Sequence, residues 1–512
     1  MKMKSPNKHK LLRHDPKPQT VFVCTVLLLI GFIVCFAARW YTLVYGDTGF
    51  DSVMFTLTNG LNGTEDRLIN SYLKEGLAPA VFFCAVAAFL IFFRSKRYIA
   101  VTFAGKVKFR LFPLSCRVKV IFACALSAVL VFSGAHSVRF GEYVIYQFKS
   151  TRIFDEKYVD PLSAGITFTE EKRNLIYIFV ESLETAYMSE AQGGALKYDL
   201  ISELSELAEN NINFSQNLGV GGYTAVPGTT WTAGAMVAHT AGIPLKVPFG
   251  FKENSYGADG FIPGAGTITE ILRDNGYYQA LMLGSDARFA NRDYYYIQHG
   301  INKIYDYYTA RDSGLIAKDY CVWWGMEDKY LYEYARQELT EIASKEQPFA
   351  FTMLTADTHH VDGYVCSECG DKYEEQYENV ISCADRQLAS FISWIQEQDF
   401  YENTTIVVCG DHPTMDAGYI SRNVDEDYDR HVYNCIINSA IEPENMKNRE
   451  FTAFDMFPTT LAAMGCTIEG DRLGLGTNLF SELPTLIEEM GRKSFVEQMT
   501  RSSKYYNINF MQ

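Results

Sequence analysis

Residues 174–182 read NLIYIFVES: a run dominated by β-branched and aromatic side chains, closed by a glutamate and a serine. A short apolar run of this kind reads as a strand covered on both faces. The pattern returns at YQALMLG (278–284), FAFTMLTA (349–356) and TTIVVCGDH (404–412). Between these runs lie stretches with helical periodicity: LKYDLISELSELAENN (196–211), KYLYEYARQELTEIASK (329–345) and ADRQLASFISWIQEQ (384–398). Strand followed by amphipathic helix, repeated, predicts an α/β domain with a mostly parallel central sheet and helices on both of its faces. The Gly- and Pro-rich stretches GVGGYTAVPG (219–228) and FIPGAGT (261–267) interrupt that pattern as loops, which in such folds carry the site.

The ends of the strands hold the chemistry. Open α/β sheets bind ligands in the crevice beyond the carboxyl ends of their strands. Glu181 closes the first run and Asp411-His412 the last. These oxygen and nitrogen ligands suit a divalent cation such as Mn²⁺, Mg²⁺ or Zn²⁺, and three protein ligands leave positions open for a substrate and a nucleophile. Thr230 lies in GTTWTAGAMVAHTAGIPL (228–245), a turn that opens a helix. Metal coordination lowers the pKa of a hydroxyl, and a helix N-terminus favours the alkoxide and the phosphate it attacks. The alternative is that Thr229, Thr230 and Thr232 only cap the helix. His359, after FAFTMLTADT, is placed to bind a phosphate oxygen or to protonate a leaving group. Arg292, in RFANRDYY (288–295), offers a planar fork for phosphate oxygens.

Outward from this domain the composition changes. Residues 1–150 hold 19 Lys and Arg against 7 Asp and Glu, a net of +12; the whole chain carries −15, so residues 151–512 carry −27. The basic part contains three uncharged apolar stretches, 21–38, 76–93 and 120–138, each close to the roughly 20 residues that cross a bilayer. Six Lys and Arg precede the first and eight fill residues 94–119, whereas residues 39–75 carry only Arg39, Arg67 and Lys74. The positive-inside bias puts the N-terminus and the loop after residue 93 in the cytoplasm, and everything after residue 138 outside. The expected layout is a membrane domain over 1–138, a linker over 139–170, an extracytoplasmic catalytic domain over 171–490 and a C-terminal tail over 491–512. The first stretch exceeds the apolar core of a signal peptide and reads as an uncleaved anchor.

Of twelve cysteines, seven fall in the outer domain. Cys366, Cys369 and Cys383 cluster in VCSECGDKYEEQYENVISC (365–383), with Cys321 a candidate fourth partner. A disulfide-stapled loop is the expectation there; a structural zinc site is the rival, because Cys366-x-x-Cys369 has ligand spacing but lacks a second such pair.

Taken in order, NLIYIFVESLE, GTTWTAGAMVAHTAGIPL, FANRDYYYIQHG, TADTHHVDGY, GDH, FTAFDMFPTTLAAMG and GDRLGLGTNLFS resemble a known family: the membrane-anchored phosphoglycerol transferases and lipoteichoic acid synthases of the alkaline phosphatase and sulfatase superfamily. The TTWTAGAMVA…GIPL piece looks closer to the branch that decorates periplasmic glucans. The resemblance covers roughly residues 170–480 and implies a sulfatase-like domain with Thr230 as catalytic threonine and Glu181, Thr230, Asp411 and His412 around the metal, Mn²⁺ being the usual ion. It implies His359 and Arg292 as substrate contacts. Where teichoic acid synthases tend to have Trp-Asn-Arg, this chain has Ala290-Asn291-Arg292. No cysteine lies in the Cys-x-Pro-x-Arg context that true sulfatases need.

The function implied is transfer of sn-glycerol 1-phosphate from phosphatidylglycerol to an extracytoplasmic glycan, glycolipid or teichoic acid, through a phosphoglyceryl-threonine, by a multi-pass cell-membrane enzyme with no nucleic-acid partner. The alternatives are a phosphoethanolamine transferase of the same superfamily and a non-catalytic envelope-binding protein.

Overall fold

The computed structural model describes residues 16–46, 50, 53–54, 66–92, 99–103, 106–112, 116–247, 260–322, 325–345 and 347–511. The basic N-terminal residues 1–15 and residues 93–98 of the basic loop therefore lie outside the described residues. The chain divides into two compact units, one formed by residues 1–43 and 66–141, the other by 44–65 and 142–512.

In the first unit three helices, α1 (Pro18–Tyr45), α2 (Ala78–Phe92) and α3 (Cys116–Ser137), match the three apolar stretches. All are long and apolar enough to cross a membrane, α2 together with the helical turns that begin at Ile69. Small residues let α1 and α3 approach closely, as membrane helices do. Ser127 Oγ donates to the Leu27 carbonyl at 2.6 Å, and a Cβ added at Gly134 would lie 2.8 Å from the Val34 carbonyl oxygen. Phe22, Phe82, Ile121 and Phe132 are more than 60% exposed, an unfavourable surface in water and a natural one in lipid. A two-stranded hairpin, Ile99–Phe103 with Lys106–Phe112, belongs to the same unit.

The second unit is built on a seven-stranded sheet. In chain order its strands are β1 (Asn174–Val180), β2 (Gly222–Tyr223), β3 (Tyr278–Leu283), β4 (Lys303–Tyr305), β5 (Phe349–Leu354), β6 (Thr404–Gly410) and β7 (Val432–Ile437), arranged β2-β7-β6-β1-β5-β3-β4. Strands β6, β1, β5, β3 and β4 run parallel, and β7 and β2 add antiparallel at one edge. The α/β expectation holds. Along β1, Leu175, Tyr177 and Phe179 enter one core while Ile176, Ile178 and Val180 enter the other, as side chains alternating across a sheet must. Both faces are covered, which is why the strands read as continuous apolar runs.

The stretch read as a linker is partly built into this unit. Ile153 and Phe154 are buried, Phe154 packs edge-on against Tyr506 and Phe510, and Ile166 pairs with Ile468. The C-terminal residues form helices Arg492–Thr500 and Lys504–Asn509 that bury Phe495, Met499, Tyr506 and Phe510. Their apolar residues are too widely spaced among polar ones to read as core without knowing that the two chain segments meet.

Candidate metal centre and active site

Three strand ends deliver the site. Val180 ends β1 and Gly410 ends β6, and the two are paired across the sheet, so Glu181 and Asp411 leave it side by side. β5 pairs Leu354 with Phe179, which brings Thr355 to the same edge. The Thr355 hydroxyl accepts the Glu181 N–H at 3.0 Å, and Thr358 Oγ1 donates to the Glu181 carbonyl at 2.6 Å. Gly410 is required by the close passage of the chain after β1: a Cβ there would lie 1.9 Å from the Leu183 carbonyl oxygen. Ser182 takes a φ of 56°, uncommon outside glycine. From that turn its N–H donates to Asp411 Oδ1 and its hydroxyl to Glu181 Oε1, each at 2.8 Å.

Glu181, Asp411 and His412 are all buried, and one ligand atom from each lies within 4.8 Å of the others. His412 Nδ1 lies 2.9 Å from the Pro413 carbonyl. That contact is favourable only for an N–H, so the neutral ring turns a lone pair inward at Nε2. Nε2 stands 3.3 Å from Asp411 Oδ2 and 3.7 Å from Glu181 Oε1. Asp411 Oδ2 is buried with no hydrogen-bond donor among the described residues. Three acceptors facing one another in a dry pocket repel, and a cation between them reverses the sign of the interaction. Ligands with bonds of about 2.0–2.2 Å to one ion lie about 3–3.6 Å apart, so these residues fit a divalent metal. The same crowding sets the titration: burial and the Glu181 charge push the Asp411 carboxyl up to about 6. At His412 burial works against the charged ring, yet Asp411 and Glu181 outweigh it and raise its pKa.

Which hydroxyl faces this cluster? Three threonines lie at the start of helix α4 (Thr232–Ala241), two in the turn before it and one as its first residue. Thr229 Oγ1 is spent on Val226, donating to its carbonyl and accepting its N–H at 2.9 and 3.0 Å. Thr230 is half-buried in the turn, and no hydrogen bond joins it to the cluster among the described residues. Thr232, the first residue of α4, places Oγ1 3.4 Å from Glu181 Oε2 and 3.3 Å from His412 Nε2. The structure thus brings Thr232 to the ligands, two residues beyond the expected Thr230. The start of a helix is uncertain by one or two residues in any reading of sequence, and in GTTWT that uncertainty selects between hydroxyls.

The two substrate contacts implied by the sequence lie near the cluster. Arg292 is buried at 4% exposure and clamped by the turn before it: Nη2 donates to Ser285 Oγ (2.9 Å) and the Asp286 carbonyl (2.7 Å), and Nε to the Phe289 carbonyl (3.0 Å). Ala290 and Asn291, both at φ 56°, make that turn. Burial lowers the Arg292 pKa, with the Glu181 charge acting in the opposite sense. His359 Nδ1 lies 2.7 Å from the His360 carbonyl, and the two rings stack at 4.4 Å. Burial brings the His359 pKa down to about 4. A ring that is neutral at pH 7 suits hydrogen bonding and is a poor proton donor to a leaving group.

The cysteine expectation is corrected. Cys366, Cys369 and Cys383 meet as foreseen, but all twelve cysteines are unbonded and Cys321 is exposed and outside the group. Cys383 stands on a helix, α5 (Gln376–Gln396), that begins eight residues before the helical stretch read from the sequence.

Comparison with known proteins places these observations in a family. The sulfatase family model matches residues 173–466, more than half of the chain. Phosphoglycerol transferase I of Escherichia fergusonii is 28% identical over 411 residues, covering 77% of this chain and 49% of that protein. This chain therefore spans about half the length of such relatives. Among solved structures, the lipoteichoic acid synthase LtaP from Listeria monocytogenes is similar at a TM-score of 0.48 and 18% identity, covering 65% of this chain and 82% of that one. The Streptococcus pyogenes phosphoglycerol transferase GacH gives a TM-score of 0.38 at 14% identity, over 63% and 79% of the two chains.

Proposed function

Because the chain belongs to the sulfatase family, we propose that it is a membrane-anchored, metal-dependent phosphoglycerol transferase in which Thr232 is the nucleophile. The observation that carries this reading is the Thr232 hydroxyl, at the N-terminus of α4 and within 3.4 Å of Glu181 and His412. The names of the relatives, phosphoglycerol transferase I, supply the transferred group. A divalent cation, Mn²⁺ by analogy with the family, would be held by Glu181, Asp411, His412 and Thr232, and when bound it supplies positive charge that favours an ionised hydroxyl and a phosphodiester oxygen.

The chain's own residues then do the following. Thr232 Oγ1 attacks the phosphorus of phosphatidylglycerol; the O–P bond forms as the bond to diacylglycerol breaks, and the threonine proton goes to the departing alkoxide. A phosphoglyceryl-threonine results. The hydroxyl of an extracytoplasmic glycan or glycolipid displaces Thr232 in a second in-line step and returns a proton to it. Arg292, held in one orientation by three backbone and hydroxyl acceptors, pairs with phosphoryl oxygens, and the N-terminus of α4 adds its dipole to the same task. His359, neutral, orients a glycerol hydroxyl. The apolar helices α1 to α3 tether the domain to the membrane that supplies its donor, which raises the effective donor concentration.

Labelled phosphatidylglycerol and phosphatidylethanolamine, offered separately to the purified chain, test this. Release of diacylglycerol from phosphatidylglycerol alone, lost in Thr232→Ala, is expected. Release from phosphatidylethanolamine alone would reassign the donor, and full activity in Thr232→Ala would remove the nucleophile.

A further inference from the structure

A second cluster of metal-ligand type lies outside the catalytic centre. Cys366 and Cys369 sit on the loop that follows His359 and His360, and Cys383 sits on α5. Their sulfurs are unbonded, with Cys366 Sγ 3.6 Å from Cys369 Sγ and 3.8 Å from Cys383 Sγ. A disulfide would need about 2.05 Å. Four sulfurs bonded tetrahedrally to one ion at about 2.3 Å stand about 3.8 Å apart, which is the spacing found.

The surroundings are those of thiolates. The Glu368 N–H points at Cys366 Sγ at 3.3 Å, the contact a Cys-x-x-Cys turn makes when it wraps a metal. The Gln387 amide approaches Cys383 Sγ at 3.1 Å and Cys366 Sγ at 3.6 Å. N–H donors aimed at sulfur stabilise the charged form that binds metal. The count matters too: one disulfide would use two of the three sulfurs and strand the third among them. Cys383 and Gln387 also line a cavity of about 280 Å³, room for a water as fourth ligand.

We infer that Cys366, Cys369 and Cys383 form a structural site for Zn²⁺ or a similarly thiophilic divalent ion, which pins the loop carrying His359 and His360 to α5. Binding replaces three thiol protons by one ion. Other bonds hold the same stretch: Tyr364 N–H donates to the Asp357 carbonyl, Asp362 N–H to Asp416 Oδ2, Lys329 Nζ to Ser367 Oγ, and Gln376 Nε2 to the Asp362 and Gly363 carbonyls. The sulfur cluster adds to these a direct tie between the loop and α5.

The test uses the full chain purified in detergent and washed free of loose metal. One equivalent of zinc should survive washing, be released by a mercurial in step with three thiols beyond those that react without releasing metal, and persist in Asp411→Asn, which removes a ligand of the other centre. Refolding or exchange with Co²⁺ should give thiolate-to-cobalt charge-transfer absorption in the wild type and in Asp411→Asn but not in Cys383→Ser or Cys369→Ser. Cys321→Ser serves as the control that should keep it. Should the cysteine variants fail to fold, the wild-type mercurial titration still decides. Two thiols that become titratable only after reduction, or three free thiols with no sulfur-bound metal, would overturn the assignment.

Discussion

Two ligand clusters in one domain invite comparison. Glu181, Asp411 and His412 stand on the ends of paired parallel strands, so the register of the sheet fixes their separation before any ion arrives. Cys366, Cys369 and Cys383 stand on a loop and a helix, where no sheet register fixes their separation. The first is a set of hard oxygen and nitrogen donors with open positions beside a hydroxyl; the second is all sulfur, with backbone and amide N–H groups around it. On the proposed readings, softness of the ligands separates the ions the two sites would prefer, and rigidity separates their roles: one would be preorganised for chemistry, the other completed by what it binds.

The largest effect that would sharpen this contrast is loss of the proposed nucleophile. Thr232→Ala should lower turnover by at least about 10³-fold, the scale of removing an attacking hydroxyl, while metal affinity at the triad falls little. Thr230→Ala should stay within a few-fold of the wild type, and a steady-state lipid-release assay compares them.

Next comes Arg292→Lys. A single ammonium cannot reproduce a fork held by Ser285, Asp286 and Phe289, and a loss of roughly 2 kcal/mol in kcat/KM, about 30-fold, is expected.

The pH dependence of stability distinguishes the clusters without an assay. Asp411 has a folded pKa of about 6, above the unfolded value near 3.9, so in the metal-free protein its ionisation destabilises the fold above that range. Chelated protein should therefore gain stability as pH falls from 7 through 6 toward 4, by at most about 3 kcal/mol from this group. Protein loaded with Mn²⁺ should show the opposite trend, since protons displace the ion. The melting-temperature gap between the two preparations should close as pH falls.

The smallest effect is expected at His359. With its pKa near 4, His359→Gln should cost about tenfold or less and leave the acidic limb of the pH–rate profile in place. Disappearance of a limb near pH 6 to 7 in that variant would give His359 the proton-transfer role that its neutrality argues against.

The sequence was most legible where strands meet the site. NLIYIFV, FAFTML and TTIVVCG are apolar on both faces, and the candidate residues follow their ends, so Glu181, His359 and Asp411-His412 could be read directly as candidates. Strand β7, VYNCII, has the same character but carries no ligand and follows a charged loop, and β2 has only two residues; neither was visible. Thr230 is the threonine expected at the ligands and Thr232 the one found beside them, because three hydroxyls within four residues differ only in where the helix begins. The cysteines were recognised as a group, but the start of α5 decides their geometry, and the charged residues KYEEQYE (372–378) before Cys383 hid that helix turn.

The most direct test of the central claim is mass spectrometry of the tryptic peptide spanning residues 198–246 after brief exposure to phosphatidylglycerol and Mn²⁺. A phosphoglycerol adduct whose fragments place it on Thr232, on the C-terminal side of Trp231, is the expected result. An adduct on Thr230, or turnover that proceeds with the peptide never modified, would contradict the account.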